Sequence, residues 1–300
     1  HASNVPGCAL MIEEVFAEAG FPNGLFSTLL ISSSQVESVL QNDKVKAVTL
    51  TGSGPAGAAV AATAGKQIKP SLLELGGSDP YLILDDADID LAAQKCCDSR
   101  LLNAGQSCIG AKRFLVVEDI YDDFLRAFTE RMQAAMMGDP FKAVDLGPMA
   151  RRDLRDELHE QVTQSLDQGA TLVLGGKIPE GPGAFYPPTI LTDIAPGMPA
   201  YEEELFGPVA AVIKVQDEDE AIAVANDTAF GLGAAVFTQD VERGRRIARE
   251  ELEAGCCFVN DFVKSDPRLP FGGMKTSGYG RELSREGILA FVHAKTVYVA

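Results

Sequence analysis

Two side chains in this sequence have types and settings suited to covalent chemistry at a carbonyl. Cys108 stands in Asn103-Ala104-Gly105-Gln106-Ser107-Cys108-Ile109-Gly110. Glycine on either side of it lets the backbone approach a ligand closely, because glycine has no Cβ. A thiol held at such a turn can attack an electrophile once ionised. The same segment also suits a small cysteine buried in a tight turn. Glu74 is the one ionisable residue of Ser71-Leu72-Leu73-Glu74-Leu75-Gly76-Gly77, a short apolar strand ending in two glycines. A carboxylate buried there is costly without a partner, and burial raises its pKa toward the working range of a base.

A third segment points to a phosphate. Thr51-Gly52-Ser53-Gly54-Pro55-Ala56-Gly57 follows a predicted strand (46–50) and opens an alanine-rich helix (58–65). The spacing of Gly52, Gly54 and Gly57 fits the dinucleotide fingerprint, and Pro55 suits a first helical turn. Backbone N–H groups at such a turn face a phosphate; a plain glycine-rich turn is the alternative. Glu74 lies 22 residues after Gly52, so spacing alone makes it the ribose ligand.

The elements that must position these groups alternate. A helix over 8–19 closes at Gly20 and Pro22. A strand over 25–31, a short helix over 36–41 and the strand over 46–50 follow, which argues for a parallel sheet with crossovers. Further strands are predicted over 81–84, 113–117, 171–176, 209–214, 233–237 and 256–260, and helices over 151–168, 218–226 and 241–253. The run Asp85-Asp86-Ala87-Asp88 reads as capping and dipole complement at a helix start rather than a metal site. The ionic face of the 151–168 helix reads as solvated. The segment 295–300 (KTVYVA) alternates like an exposed strand. The fold class is therefore α/β.

Composition narrows the partners. The chain has 300 residues, 46% hydrophobic and 23% charged, enough to bury a sizeable core. A formal net charge of −17 argues against nucleic acid or an anionic membrane surface, since both require a positive footprint. Cys8, Cys96, Cys97, Cys108, Cys256 and Cys257 make no zinc pattern, and no metal is expected. Cys256 and Cys257 read as packing residues on alternate faces of a strand. No signal-peptide pattern or membrane-spanning apolar run is apparent, so a reducing, cytoplasmic setting is expected.

The LELGG and GQSC segments, with Glu74 and Cys108 34 residues apart, resemble the signature pair of the NAD(P)-dependent aldehyde dehydrogenases. The resemblance runs along the whole chain. It implies an aldehyde-dehydrogenase-like fold, a partial Rossmann-type sheet plus a catalytic α/β domain, with Cys108 as nucleophile and Glu74 as general base rather than ribose ligand. The cofactor, NAD or NADP, would then lie against Gly52, Ser53, Gly57 and Leu75. Glu202-Glu203-Glu204-Leu205-Phe206-Gly207-Pro208-Val209 resembles the family's EE-(I/L)-FGPV motif, which makes Glu204 the holder of the nicotinamide ribose and sets Phe206 beside the nicotinamide ring. Ser3 stands where many NAD-preferring relatives carry a Glu on the adenosine ribose. A serine there tolerates a 2′-phosphate; it also suits a helix cap. Relatives that pass the acyl group to coenzyme A usually lack the residue matching Glu74, so hydrolysis is implied.

Lys264-Ser265-Asp266-Pro267-Arg268-Leu269-Pro270-Phe271-Gly272-Gly273 resembles the family's substrate-entrance loop and PFGG turn, and among relatives the bacterial succinate-semialdehyde dehydrogenase branch. Lys264, Ser265, Arg268 and Phe271 are the implied substrate contacts, with the cations suited to a distal carboxylate; as plain loop charges they would sit in water. Some members of that branch use an Arg where this chain has Leu102. The expected division is 1–76 as the later part of a dinucleotide-binding domain, 77–275 as the catalytic domain, and 276–300 as a tail that packs back and supplies an oligomerisation strand. The family's dinucleotide region begins before the position matching His1, so an N-terminal portion, with one oxyanion donor, is expected to be absent. A homo-oligomer, dimer or tetramer, oxidising a small aldehyde, succinate semialdehyde foremost, is the form the resemblance implies; another semialdehyde or aliphatic aldehyde as substrate, or an inactive fragment of such an enzyme, is the alternative.

Overall fold

The computed structural model describes residues 1–300. The chain divides into two compact units, one of residues 1–48 and 58–71 and the other of residues 49–57 and 72–300. The first contains helix α1 (Pro6–Glu18), helix α2 (Ser33–Gln41) and most of helix α3 (Gly54–Lys66). Ser32 and Gln35 form a capping box at the start of α2. The predicted strand over 25–31 is absent. Thr28 instead donates its N–H to Glu13 Oε2 at 2.7 Å and its hydroxyl to the Ala9 carbonyl at 2.8 Å. Those bonds tie the segment to α1, and no ladder partner runs beside it.

The second unit holds most of two sheets. A small sheet has the order β1 (Val48–Thr51), β2 (Ser71–Glu74), β10 (Gly278–Tyr279). β10 runs antiparallel to β2, with Gly278 opposite Glu74. Between them in sequence come β3 (Pro80–Ile83), α4 (Ile89–Leu101), β4 (Arg113–Val117), α5 (Tyr121–Ala134), α6 (Arg152–Asp167), β5 (Thr171–Leu174), β6 (Thr189–Thr192), α7 (Pro199–Glu202), β7 (Val209–Val215), α8 (Glu218–Asn226), β8 (Gly233–Phe237), α9 (Val241–Arg246) and β9 (Cys256–Val259). α10 (Ser284–Leu289) follows β10. A seven-stranded sheet has the order β5-β6-β7-β4-β3-β8-β9 and is parallel except for the antiparallel edge pair β5–β6.

Both faces of that sheet are covered, which is why its inner strands read as unbroken apolar runs. Tyr81, Ile83, Phe114 and Val116 point to one core cluster, and Leu82, Leu84, Leu115 and Val117 to the other. Side chains alternate along a strand, so adjacent residues feed opposite cores. Cys256 and Cys257 divide between the clusters in the same way. On α5, Phe124, Phe128 and Met132 are fully buried at a four-residue spacing, one stripe of the helix.

Several boundaries depart from expectation. The helix over 241–253 is α-helical only to Arg246 and continues as a π-turn over Ile247–Glu251. β6, directly after Tyr186-Pro187-Pro188, is not among the predicted strands. Asp88 caps α4 by accepting from Leu91 N, but Asp86 does not serve that helix. Its carboxylate accepts from the Thr238 hydroxyl and from the Gln239 and Asp240 N–H groups, and pairs with Arg243. Residues 295–300 form no strand and are exposed, because an alternating segment becomes a strand only against a partner edge.

Candidate active site

The cysteine loop is built where α4 stops. Asn103, Ala104 and Gly105 take φ values of +53°, +55° and +72°, which reverses the chain sharply. Non-glycine residues in this region are held there only by their surroundings. Asn103 Nδ2 donates to the Gln106 carbonyl (3.0 Å), Arg100 Nη2 to the Gly105 carbonyl (2.6 Å), and Gln106 Oε1 accepts from Ala150 N (2.7 Å). A Cβ on Gly105 would overlap the Gly207 carbonyl, so the loop and the Phe206-Gly207 segment touch backbone to backbone. Cys108 follows, half-buried.

Cys108 lies on the wall of a cleft of about 610 Å³ together with Gly52, Ser53, Leu75, Glu204 and Phe206, a volume ordinary for a small-molecule site. Burial pushes its thiol pKa up; Lys112 opposes that, while Asp79 and Glu204 add to it. Glu204 is placed from far along the chain: its Oε1 accepts from Gly77 N (2.9 Å) and meets Lys112 Nζ at 3.3 Å. Phe206 is 37% exposed and lines the cleft, so it can offer an apolar surface to a flat ligand. Gly57 is buried behind Leu75, and a Cβ there would press on the Leu75 methyls. Gly52 N donates to the Glu74 carbonyl (2.9 Å), which fixes the glycine turn against β2.

Glu74 is placed differently from Cys108. Its side chain is 3% exposed, neither oxygen has a hydrogen-bond partner, and it is not among the residues lining the cleft. A Cβ on Gly272 would lie 2.8 Å from its Oε1, so the carboxyl rests against the Phe271-Gly272 turn. Burial, and secondarily Glu282, raise its pKa to about 7, against a smaller opposing pull from Arg281. Phe271 is buried and bridges to Glu282 through paired backbone bonds. It too lies off the cleft wall.

The loop cations are internally paired. Lys264 Nζ contacts Asp261 at 2.6 Å, and the Arg268 guanidinium grips Asp266 with two bonds, the shorter 2.5 Å. Ser265 is exposed beside them. Ser3, in the first unit, is exposed and is not a cap, since Val5 holds the cap position of α1.

Sequence reasoning missed one wall of the cleft. Leu154, Glu157, Leu158 and Gln161 of α6 line it, and Gln161 Nε2 donates to Glu203 Oε2 at 2.7 Å. The ionic face of α6 is largely exposed, as expected, and it is the adjoining Leu154, Leu158 and Gln161 that close the cleft. Sequence reasoning also missed Lys112, Arg100 and Asp79, all buried beneath the loop. A lysine and an arginine opening an apolar strand, Lys112-Arg113-Phe114-Leu115-Val116, was the available signal.

Residues 1–297 match the model of the aldehyde dehydrogenase family. The chain is 50% identical over 301 residues to a probable NADP(+) succinate-semialdehyde dehydrogenase of Synechocystis sp., covering all of this chain and 66% of that protein. It is 52% identical over 300 residues to the NADP(+) succinate-semialdehyde dehydrogenase of Mycobacterium avium, covering 63% of it. It thus spans just under two-thirds of the length of these curated relatives. A crystal structure of succinic semialdehyde dehydrogenase from Streptococcus pyogenes with NADP+ superposes with a TM-score of 0.97 at 42% identity, over the whole of this chain and 66% of that one. With a cysteine, a glycine turn and the Glu204–Phe206 segment meeting in one cleft, and with this match along nearly its whole length, the chain belongs to the aldehyde dehydrogenase family.

Proposed function

We propose that the protein oxidises an aldehyde, succinate semialdehyde foremost, to its carboxylate with NAD or NADP. The observation that carries this reading is the cleft in which Cys108 faces Glu204, Phe206 and the Gly52-Ser53 turn. The residues fit a dinucleotide: N–H groups at the turn for phosphate, the Glu204 carboxylate for ribose hydroxyls, and the half-exposed Phe206 ring for the nicotinamide. When bound, the dinucleotide supplies the hydride acceptor. The NADP(+) in the relatives' names and the serine at position 3 support NADP as the first cofactor to test.

The steps assigned to the chain's own residues are these. The Cys108 thiolate attacks the carbonyl carbon, a C–S bond forms, and the π pair moves to oxygen. The resulting oxyanion needs preorganised donors, and the Cys108 N–H is one. Loss of hydride from the carbon leaves a thioester on Cys108. Glu74 then takes a proton from water as the water oxygen adds to the thioester carbonyl, and Cys108 leaves as thiolate. No hydrogen bond ties either Glu74 oxygen, so a side-chain rotation toward the cleft breaks none.

Arg268, Lys264 and Ser265 are assigned to the distal carboxylate. A second reading, a neutral aliphatic aldehyde, is favoured by the pairing of both cations with Asp261 and Asp266. Steady-state kcat/KM for succinate semialdehyde and propanal, each with NAD and NADP, separates the two. The primary reading requires a clear preference for the semialdehyde that Arg268→Ala removes; equal values for both aldehydes would favour the second.

A further inference from the structure

Lys112 occupies an unusual position for a lysine, with a side chain only 1% exposed. An ammonium carries three donors, and three oxygens surround this one: the Ser107 carbonyl at 3.0 Å, the Cys108 carbonyl at 2.8 Å and Glu204 Oε1 at 3.3 Å. Burying a charge this deeply is tolerated only when it is paired and its hydrogen-bonding capacity is filled. Here the partners are the two peptide groups that aim the nucleophile and the carboxylate assigned to the cofactor ribose.

We propose that Lys112 is a positioning residue that couples the Cys108 loop to the Glu204 carboxylate, so that the reactivity of the thiol and the seating of the dinucleotide depend on the same ammonium. The part concerning the dinucleotide rests on the function proposed above; the part concerning the thiol does not. The groups that bear on Cys108 are Lys112 from just before β4, Asp79 from the turn before β3, Glu204 from the segment after α7, and the Ile109 N–H of its own loop. Burial lowers the pKa of Lys112 itself; Glu204, Asp79 and Cys108 oppose that, and Arg100 at the end of α4 adds to it. With one cation against two carboxylates at the thiol, removing either sign moves the thiolate in a stated direction.

The test is the pH dependence of Cys108 alkylation by iodoacetamide, followed by mass spectrometry of the Cys108 peptide, in the wild-type protein, Lys112→Met and Glu204→Gln. The midpoint should rise by about one pH unit in Lys112→Met and fall by about half a unit in Glu204→Gln. In Lys112→Met the KM for the dinucleotide should also rise about fivefold or more, with a smaller change in KM for the aldehyde. A residue that only holds the fold would lower the melting temperature and leave both midpoints in place, and that result overturns the proposal. Should Lys112→Met fail to fold, Glu204→Gln decides alone: a midpoint that does not fall overturns it. Alkylation uses neither aldehyde nor cofactor. Opposed midpoint shifts in a protein inert toward aldehydes would keep the thiol coupling while refuting the proposed function.

Discussion

Burial acts on Cys108 and Glu74 in the same direction, raising both pKa values, with opposite consequences. For the thiol it withholds the nucleophile, which is why the neighbouring ammonium matters. For the carboxyl it gives a pKa of about 7, suited to the base role proposed for it. Cys108→Ala should lower aldehyde oxidation by about three orders of magnitude or more, read as steady-state turnover. Glu74→Gln should release a burst of reduced cofactor close to one equivalent per site and then stall; undiminished steady turnover would remove Glu74 from the role. In the wild type, thioester hydrolysis should rise about fivefold between pH 6 and pH 7 and level off by about pH 8, following ionisation of a group titrating near 7. The same pKa makes a stability statement. Glu74 is raised in the folded state, so its neutral form is favoured there, and the fold loses stability as pH rises from about 4.5 through about 7. Glu74→Gln should therefore be near neutral at pH 4 and stabilising by up to about 3 kcal/mol above pH 8 in urea denaturation.

At the scale of elements, the site depends on two segments meeting at their backbones: the turn after α4 and the stretch between α7 and β7. Gly105 is the point of contact. Its φ is +72° and a Cβ would run into the Gly207 carbonyl, so both strain and overlap oppose any larger residue. Gly105→Ala should cost about 2–4 kcal/mol in urea denaturation and depress kcat/KM more than tenfold, because relieving the overlap displaces Cys108 or Glu204. An alanine variant with wild-type stability would contradict the close approach. The α6 helix shows the same dependence from the other side. Its charged face was legible, but not that Leu154, Leu158 and Gln161 close the cleft. Gly207 packs against Leu158, a contact that periodicity along α6 cannot reveal.

Across the whole molecule, the net charge of −17 sets a repulsion that the surface ion pairs do not cancel. Screening weakens pairs and repulsion alike, but exposed pairs contribute little each, so the excess should govern. The melting temperature is expected to rise by a few degrees between about 10 mM and about 200 mM NaCl; a fall would mean that ion pairs such as those of Arg243 with Asp85 and Glu218 outweigh it.

The sequence by itself determined most of what is local. Strands 113–117 and 233–237 were readable to the residue, because continuous burial on both faces writes an apolar run into the chain. The glycine turn, the cysteine loop and the Glu204–Phe206 segment were legible as motifs, since each is a short run whose residue types serve one backbone geometry. Tertiary structure alone decided which of them meet. Gly77 and Glu204 are 127 residues apart and share a hydrogen bond; Lys112 touches both the loop and that carboxylate; Glu74 turns its carboxyl toward Gly272 while Leu75, its neighbour, faces the cleft. The strand expected over 25–31 failed for the same reason, since Thr28 bonds to α1 and no strand edge lies beside the segment. Periodicity records which face of an element is buried, whereas the identity of the surface that covers it is settled only when the chain closes on itself.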